Sequence, residues 1–273
     1  MSAHAGTDLR AFPALAILAL LLGACFGPED CATPDIEAGS LPDTVSLHLW
    51  DPYSMHGATS GGVVRDTARF SLLKAQVAGA DSSLEWVFIG NSIIQYLSAA
   101  GREQWDRHFA GKAINLGVGG DRTQDMIYRL DNGHLDFPAE ARPRFVVFLG
   151  GTNNIGTDTP LEIAEGVRAV LQRIASKWPE TRIILMGLFP RDKGFAGALK
   201  GDVFSVNALL RDYGGDPQVT YLDIGQRFIL RNGCIDPGLM YDGLHLGSRG
   251  YQVWVEALLA ATSGGQSAGT PLR

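Results

Sequence analysis

The chain has 273 residues, of which 45% are hydrophobic and 9% aromatic, enough apolar material to bury the core of one ordinary domain. Its formal net charge is −6 and no run of Lys or Arg is long enough to follow a phosphate backbone, which excludes a basic nucleic-acid-binding protein.

The first 24 residues have the pattern of an export signal. Arg10 precedes "AFPALAILALLLGAC", whose apolar stretch of about a dozen residues is too short for a membrane-spanning anchor. Its end, Leu22 to Cys25, resembles a bacterial lipobox, in which the Cys becomes the lipidated first residue after cleavage. We therefore expect an exported lipoprotein of the cell envelope, anchored to a membrane through acyl chains on Cys25. A plain secretory signal with an incidental Cys25 is the alternative.

Two segments are rich in Pro, Gly and polar residues and poor in apolar ones. Residues 25–45 are predicted to form a flexible tether, and residues 263–273 a disordered tail. Between them no internal repeat or second linker interrupts the chain. One domain over residues 46–262 is therefore the simplest interpretation.

Two further cysteines, Cys31 and Cys234, remain after Cys25 is assigned to the anchor. An exported protein meets an oxidising compartment, where two such thiols can pair, so a Cys31–Cys234 disulfide is expected, with two unpaired thiols as the alternative. No metal site is expected, because the sequence contains neither CxxC nor HExxH and its six His are scattered.

Five short apolar runs alternate with segments of helical period. They are "WVFIG" from Trp86, "KAINLG" from Lys112, "RFVVFLG" from Arg144, "RIILMGL" from Arg182 and "VTYLDI" from Val219. Strands that are apolar at nearly every position are buried on both faces, which indicates a parallel sheet between layers of helices. Residues 160–178 carry a clear helical stripe, with Pro160 suited to the first turn. The predicted fold class is α/β, a three-layer α/β/α sandwich with a five-stranded parallel sheet.

Polar residues and glycines follow these strands, where open α/β sheets bind their ligands. The segments are "GNS" after the first strand, "NLGVGGD" at the second, "GGTNN" after the third, and "YDGLHL" in a late loop. Each has an ordinary structural explanation when taken alone. Ser92 suits a helix N-cap, Gly120 a tight turn and Asn153 a cap or turn, while Asp242 and His245 suit a surface pair.

Taken together, these residue types supply what acyl transfer requires. The reaction needs a hydroxyl nucleophile, an imidazole that takes its proton, a carboxylate that orients the imidazole, and donors for the developing oxyanion. A glycine lets a backbone N–H approach the substrate oxygen, and the Asn153 amide could add a side-chain donor.

The four segments resemble the ordered blocks of the SGNH, or GDSL-type, hydrolases: "FIGNSI", "NLGVGGDRTQDMIYRL", "GGTNN" and "DGLHL". Within that family, "GGDRT", "GTNN" and "GLFPR" are similar to segments of the platelet-activating-factor acetylhydrolase catalytic subunits. The resemblance runs from about residue 69 to residue 259 and implies a flavodoxin-like fold.

Carried over residue by residue, the resemblance implies that Ser92 is the nucleophile and His245 its base, with Asp242 as partner of the base. It also implies an oxyanion hole made of the Ser92 amide, Gly120 and Asn153. One residue departs from the family pattern, because Asn91 stands where the first block usually has Asp.

The bulky neighbours of this predicted triad, Ile93 and Leu244, suggest by the same resemblance a narrow acyl pocket. The expected function is hydrolysis of short acyl esters, acetyl first, carried by a carbohydrate, a lipid or another small molecule. A surface lipoprotein that binds an acylated glycan without turnover, and an acyltransferase with the same triad, are the alternatives.

The resemblance also bears on cofactors and partners. No cofactor is expected, and "GVGGDR" fails as a dinucleotide fingerprint because Arg122 stands where a small residue must pack helix against strand. Because the acetylhydrolase relatives pair into dimers, a homodimer is an expectation from the resemblance alone.

Overall fold

The computed structural model describes residues 61–191 and 198–263. The five apolar runs form five strands: β1 Trp86–Gly90, β2 Ala113–Gly117, β3 Phe145–Leu149, β4 Arg182–Met186 and β5 Val219–Leu222. Every residue of β1 and β3 is buried, as the unbroken apolar runs predicted. The strands at the two edges, β2 and β5, include half-buried residues.

The sheet is parallel throughout, with strand order β2-β1-β3-β4-β5. This is the flavodoxin-like strand order. The sheet grows outward from β1 to β2 on one side and from β3 to β5 on the other, and a crevice opens between β1 and β3 at the carboxyl ends of the strands. Gly117 of β2, Gly90 of β1 and Leu149 of β3 lie in register. The loops that follow these three strands therefore start at one edge of the sheet.

The connections between strands are helical. The α-helices of the described ranges are α1 Thr67–Ala78, α2 Ser92–Leu97, α3 Arg102–His108, α4 Thr123–Arg129, α5 Pro160–Lys177, α6 Ala198–Asp212 and α7 Ser248–Ser263. Right-handed crossovers place the helices after β1 on one face and those after β2, β3 and β4 on the other. Accordingly α4, α5 and α6 contact in succession, while α3 contacts α2 and α7. The predicted three-layer α/β/α sandwich is confirmed.

The longest helix, α5, shows how the local sequence sets its bounds. Thr159 is the N-cap and exchanges hydrogen bonds with Glu162 in a capping box, and Pro160 occupies the first turn. The buried residues of α5 run from Ile163 to Ala175, and the helix packs on one face of the sheet between α4 and α6. The helix predicted over residues 160–178 is thus confirmed to within one residue.

Several predictions concern residues outside the described ranges. The signal peptide, Cys25, Cys31 and the tether lie there, as does the tail beyond residue 263. The domain bounds, the lipid anchor and the Cys31–Cys234 pair stay predictions. In the described part of the chain, no helix has both the length and the apolar character needed to cross a membrane.

Candidate active site

Ser92 lies between a buried strand and a helix. β1 ends at Gly90, and a side chain there would collide with the Leu149 carbonyl oxygen, 2.2 Å from the added Cβ. Asn91 is the N-cap of α2, and its Oδ1 accepts a hydrogen bond from the Ile93 amide at 2.9 Å. The capping function therefore belongs to Asn91, not to Ser92. The Ser92 hydroxyl is left to make a different contact.

That contact is with His245, 153 positions later in the chain. The distance from Ser92 Oγ to His245 Nε2 is 2.9 Å, and that from His245 Nδ1 to Asp242 Oδ2 is 2.7 Å. Asp242 Oδ1 also accepts hydrogen bonds from the amides of Leu244 and His245, at 2.9 and 2.7 Å. A carboxylate facing Nδ1 holds the proton on that nitrogen, so Nε2 can accept the Ser92 proton.

The environment of Asp242 keeps it ionised. Burial by itself raises the pKa of this carboxyl, but hydrogen bonds from the His245 ring and from the His245 and Leu244 amides outweigh that effect. The net result is a pKa below the ordinary value for Asp. Asp242 is consequently an anion at neutral pH, the state that stabilises a protonated imidazole beside it.

Three candidate oxyanion donors follow three neighbouring strands: Gly120 after β2, the Ser92 amide after β1 and Asn153 after β3. Gly120 has φ of +78°, a conformation that favours glycine. Among the described residues, neither the Gly120 amide nor the Ser92 amide donates a hydrogen bond. Both are therefore available to a substrate oxygen, in contrast to the neighbouring Gly119 amide, which donates to Gln95 Oε1 at 2.7 Å.

Asn153 is held in place by the loop after β2. Its Nδ2 donates to the Asp121 carbonyl oxygen at 2.9 Å. An amide nitrogen carries two hydrogens, so this contact fixes the side chain and leaves the second N–H for another acceptor. The next residue, Asn154, is fully buried and accepts from the Thr123 amide at 3.0 Å, which ties the same two loops together.

The two residues predicted for the acyl pocket differ in their exposure. Ile93 is 1% exposed, and its carbonyl oxygen accepts from the Tyr251 hydroxyl at 2.7 Å. Leu244 is half-buried beside His245. Their role in an acyl pocket stays a prediction.

Sequence reasoning missed two aromatic neighbours of His245. The rings of Tyr96 and Tyr241 lie 5.3 and 6.2 Å from the imidazole ring, and Tyr241 is 57% exposed. Both tyrosines lie within five positions of a predicted triad residue, which was the only sequence signal that could have identified them.

A second missed feature is the buried ion pair between Asp121 and Arg129, whose Oδ2 and Nε lie 2.6 Å apart. Burial raises the pKa of Asp121 to about 6, although the positive charge of Arg129 acts in the opposite direction.

No group of three or more His, Cys, Asp or Glu within the described residues is arranged to hold a metal ion. Cys234, the described member of the predicted disulfide, lies half-buried in the loop before Asp242. Its amide donates to Asn232 Oδ1 at 3.1 Å.

Comparisons with known proteins agree on one family. Residues 88–253 match the model of the GDSL-like lipase/acylhydrolase family. Human platelet-activating factor acetylhydrolase IB subunit alpha1 is 35% identical over 198 residues, which cover 70% of this chain and 83% of that protein. The rat alpha2 subunit is 34% identical over 173 residues, covering 63% and 72%. A crystal structure of a GDSL-like lipase from Bacteroides thetaiotaomicron shares the fold, with a TM-score of 0.60 at 17% identity over 72% of this chain and 96% of that one.

Proposed function

The chain belongs to the GDSL-like lipase/acylhydrolase family and is a carboxylic ester hydrolase, and from that premise we propose that it cleaves short acyl esters through an acyl-enzyme on Ser92. The observation that carries the proposal is the chain of hydrogen bonds from Ser92 through His245 to Asp242. It lies at the carboxyl edge of the sheet, beside two backbone amides without partners among the described residues.

Acylation begins with attack of Ser92 Oγ on the ester carbonyl carbon. His245 Nε2, 2.9 Å from the hydroxyl, accepts its proton, and the resulting imidazolium is stabilised by the Asp242 carboxylate. The carbonyl oxygen becomes an oxyanion that accepts hydrogen bonds from the Ser92 and Gly120 amides and from Asn153. The tetrahedral intermediate then collapses, and the alcohol leaves with the proton from His245.

Deacylation repeats these steps with water as the nucleophile. His245 takes a proton from the water as the water attacks the acyl-enzyme carbonyl, and the same donors stabilise the second oxyanion. Ser92 Oγ leaves with the proton from His245, and the free acid departs. A sugar hydroxyl in place of water would give acyl transfer, so the acceptor decides between hydrolysis and transfer.

We propose acetyl as the preferred acyl group. Two relatives at 34–35% identity carry the name acetylhydrolase, which favours a small acyl group without fixing the alcohol. The bulky residues Ile93 and Leu244 next to the nucleophile and the base would narrow the acyl pocket. A carbohydrate or lipid ester outside the cytoplasm fits the export signal and the lipobox-like end at Cys25.

The experiment is hydrolysis of p-nitrophenyl esters from acetate to decanoate, with Ser92→Ala as the matched inactive variant. The proposal expects kcat/KM to be highest for acetate and to fall with chain length, and expects Ser92→Ala to abolish turnover. Faster cleavage of octanoate than of acetate would contradict the narrow pocket. Turnover that survives Ser92→Ala would contradict the acyl-enzyme.

The anchor and the oligomeric state need separate tests. Radioactive palmitate should label the full chain in a bacterial host, and Cys25→Ser should abolish the label while leaving export intact. An unlabelled full chain would support the plain secretory signal. Light scattering of the protein without residues 1–25 tests the homodimer suggested by the acetylhydrolase relatives, and a monomer at micromolar concentration would refute it.

A further inference from the structure

A buried arginine lies beneath the proposed oxyanion hole without touching Ser92. Arg129, at the end of α4, is 1% exposed, and its Nε donates to Asp121 Oδ2 at 2.6 Å. Asp121 is itself 0% exposed. A buried ion pair of this kind is weak evidence of a contribution to stability, because desolvation of the two charges offsets most of their attraction. The remaining contacts of the Arg129 guanidinium indicate a role other than stabilising the fold.

The other two nitrogens of the guanidinium also have partners. Nη1 lies 2.8 Å from His134 Nδ1, and Nη2 donates to the Gly90 carbonyl oxygen at 3.4 Å. His134 Nε2 lies 3.0 Å from the Phe70 carbonyl oxygen, so Nε2 carries the ring proton and Nδ1 accepts from Arg129. Burial first, and the charge of Arg129 second, lower the pKa of His134 to about 4, which keeps the ring neutral and able to accept.

These contacts join the separate parts of the proposed site. Asp121 directly follows the oxyanion glycine Gly120, and its carbonyl oxygen holds the Asn153 amide at 2.9 Å. Gly90, the end of β1, is separated from Ser92 by one residue. One planar guanidinium therefore contacts the loop after β2, which carries Gly120 and holds Asn153, and the end of β1, two residues before the nucleophile.

We propose that Arg129 is a positioning residue, which fixes Gly120 and Asn153 relative to Ser92 by bridging Asp121, His134 and Gly90. This inference rests on the proposed function, since it assigns Arg129 a task only if Ser92 forms an acyl-enzyme.

The physical reason is that an oxyanion hole acts through geometry set before the reaction starts. Donors that drift from their positions lose strength toward the transition state while substrate binding changes little, and a shift of about 1 Å can cost about 100-fold in rate. A lysine at position 129 would keep a positive charge near Asp121. It has a single nitrogen on a flexible stem and cannot hold three partners in one plane.

The experiment compares Arg129→Lys with the wild type on p-nitrophenyl acetate, with active sites counted by fluorophosphonate labelling. We expect kcat per labelled site to fall about 10- to 100-fold, KM to change less than about threefold, and the labelling rate to fall with kcat. His134→Ala removes only one partner of the guanidinium and should give a smaller loss of the same kind. It keeps the inference testable if Arg129→Lys does not fold.

Two controls separate positioning from loss of stability. Arg173→Lys changes an arginine whose Nε and Nη2 also contact one aspartate, Asp131, at 2.7 and 2.8 Å, but on the exposed side of α5. Phe137→Leu weakens a buried ring pair with Trp178, whose centroids lie 4.9 Å apart, in a segment before β3. Both variants should retain wild-type kcat per labelled site.

These measurements distinguish a failure of the positioning role of Arg129 from a failure of the proposed acyl-enzyme on Ser92. A wild-type protein that neither turns over ester nor labels at Ser92 refutes the acyl-enzyme and the positioning role together. A labelled wild type with Arg129→Lys and His134→Ala both at wild-type kcat overturns only the positioning role. A loss that Phe137→Leu reproduces in proportion to its lowered melting temperature also overturns it.

Discussion

Asn153 offers a direct test of the oxyanion hole. Its Nδ2 already donates one hydrogen to the Asp121 carbonyl oxygen at 2.9 Å, so the remaining N–H has a fixed direction before substrate binds. Replacing Asn153 by Ala removes one of three proposed donors. Loss of a single donor of this kind costs about 2.7–4 kcal/mol in the transition state, or about 10²–10³ in kcat. The lost hydrogen bond to Asp121 should lower the free energy of unfolding by about 1 kcal/mol.

The assay is steady-state hydrolysis of p-nitrophenyl acetate at a temperature where both proteins are folded. KM should change little, because the donor acts mainly on charge that develops in the transition state. Asn132→Ala is the matched control, since Asn132 also donates from Nδ2 to a backbone carbonyl, that of Tyr128 at 2.7 Å, but is exposed. Wild-type kcat in Asn153→Ala, or an equal loss in Asn132→Ala, would remove Asn153 from the hole.

Three further predictions follow from the described contacts. Asp242→Asn should lower kcat about 10³- to 10⁴-fold, by analogy with the same change in serine proteases, because an amide no longer fixes the His245 proton on Nδ1; near-normal kcat would refute this role. Asn91→Ala should lower the free energy of unfolding by about 1 kcal/mol through loss of the α2 N-cap, measured by urea denaturation, and an unchanged midpoint would contradict the cap. Because the pKa of His134 is lowered to about 4 in the folded protein, the fold favours the neutral ring and is destabilised when the ring is protonated. The contribution of His134 to the free energy of unfolding is therefore fully present above about pH 6.5 and is lost, by at most about 3 kcal/mol, as the pH falls toward 4. The His134→Gln variant should lose less free energy of unfolding than the wild type when the pH is lowered from 7 to 4.5. Equal losses in the two proteins would contradict the assignment of this pH dependence to His134.

The parallel sheet could be predicted because its strands are short apolar runs, four of which end in glycine or are followed directly by it. Gly90 and Gly117 mark the ends of β1 and β2. A parallel sheet brings such ends to one edge whatever the loop lengths between them, so the segments that carry Ser92, Gly120 and Asn153 could be predicted to lie close together. The pairing of Ser92 with His245 was implied by the family resemblance, because His245 lies in a loop well beyond the end of β5 and not at a strand end.

Other features were beyond the sequence for identifiable physical reasons. Ser and Asn are nearly equal N-caps, so the sequence "NS" could not show that Asn91 caps α2 and leaves Ser92 uncommitted. The contact between Arg129 and His134 spans a kinked turn in which Gly133 has φ of +112°, and helical spacing does not predict it. Nothing in the sequence around Asp121 indicated that its buried carboxylate pairs with Arg129.

The most direct test of the central claim is to trap the acyl-enzyme. The protein is mixed with p-nitrophenyl acetate, quenched in acid within milliseconds, digested and examined by mass spectrometry. The account predicts one acetyl group on the peptide that contains Ser92, in an amount that rises within the first turnover and is absent from Ser92→Ala. Turnover of the ester with no acetylated Ser92, or with the acetyl group on another residue, would contradict it.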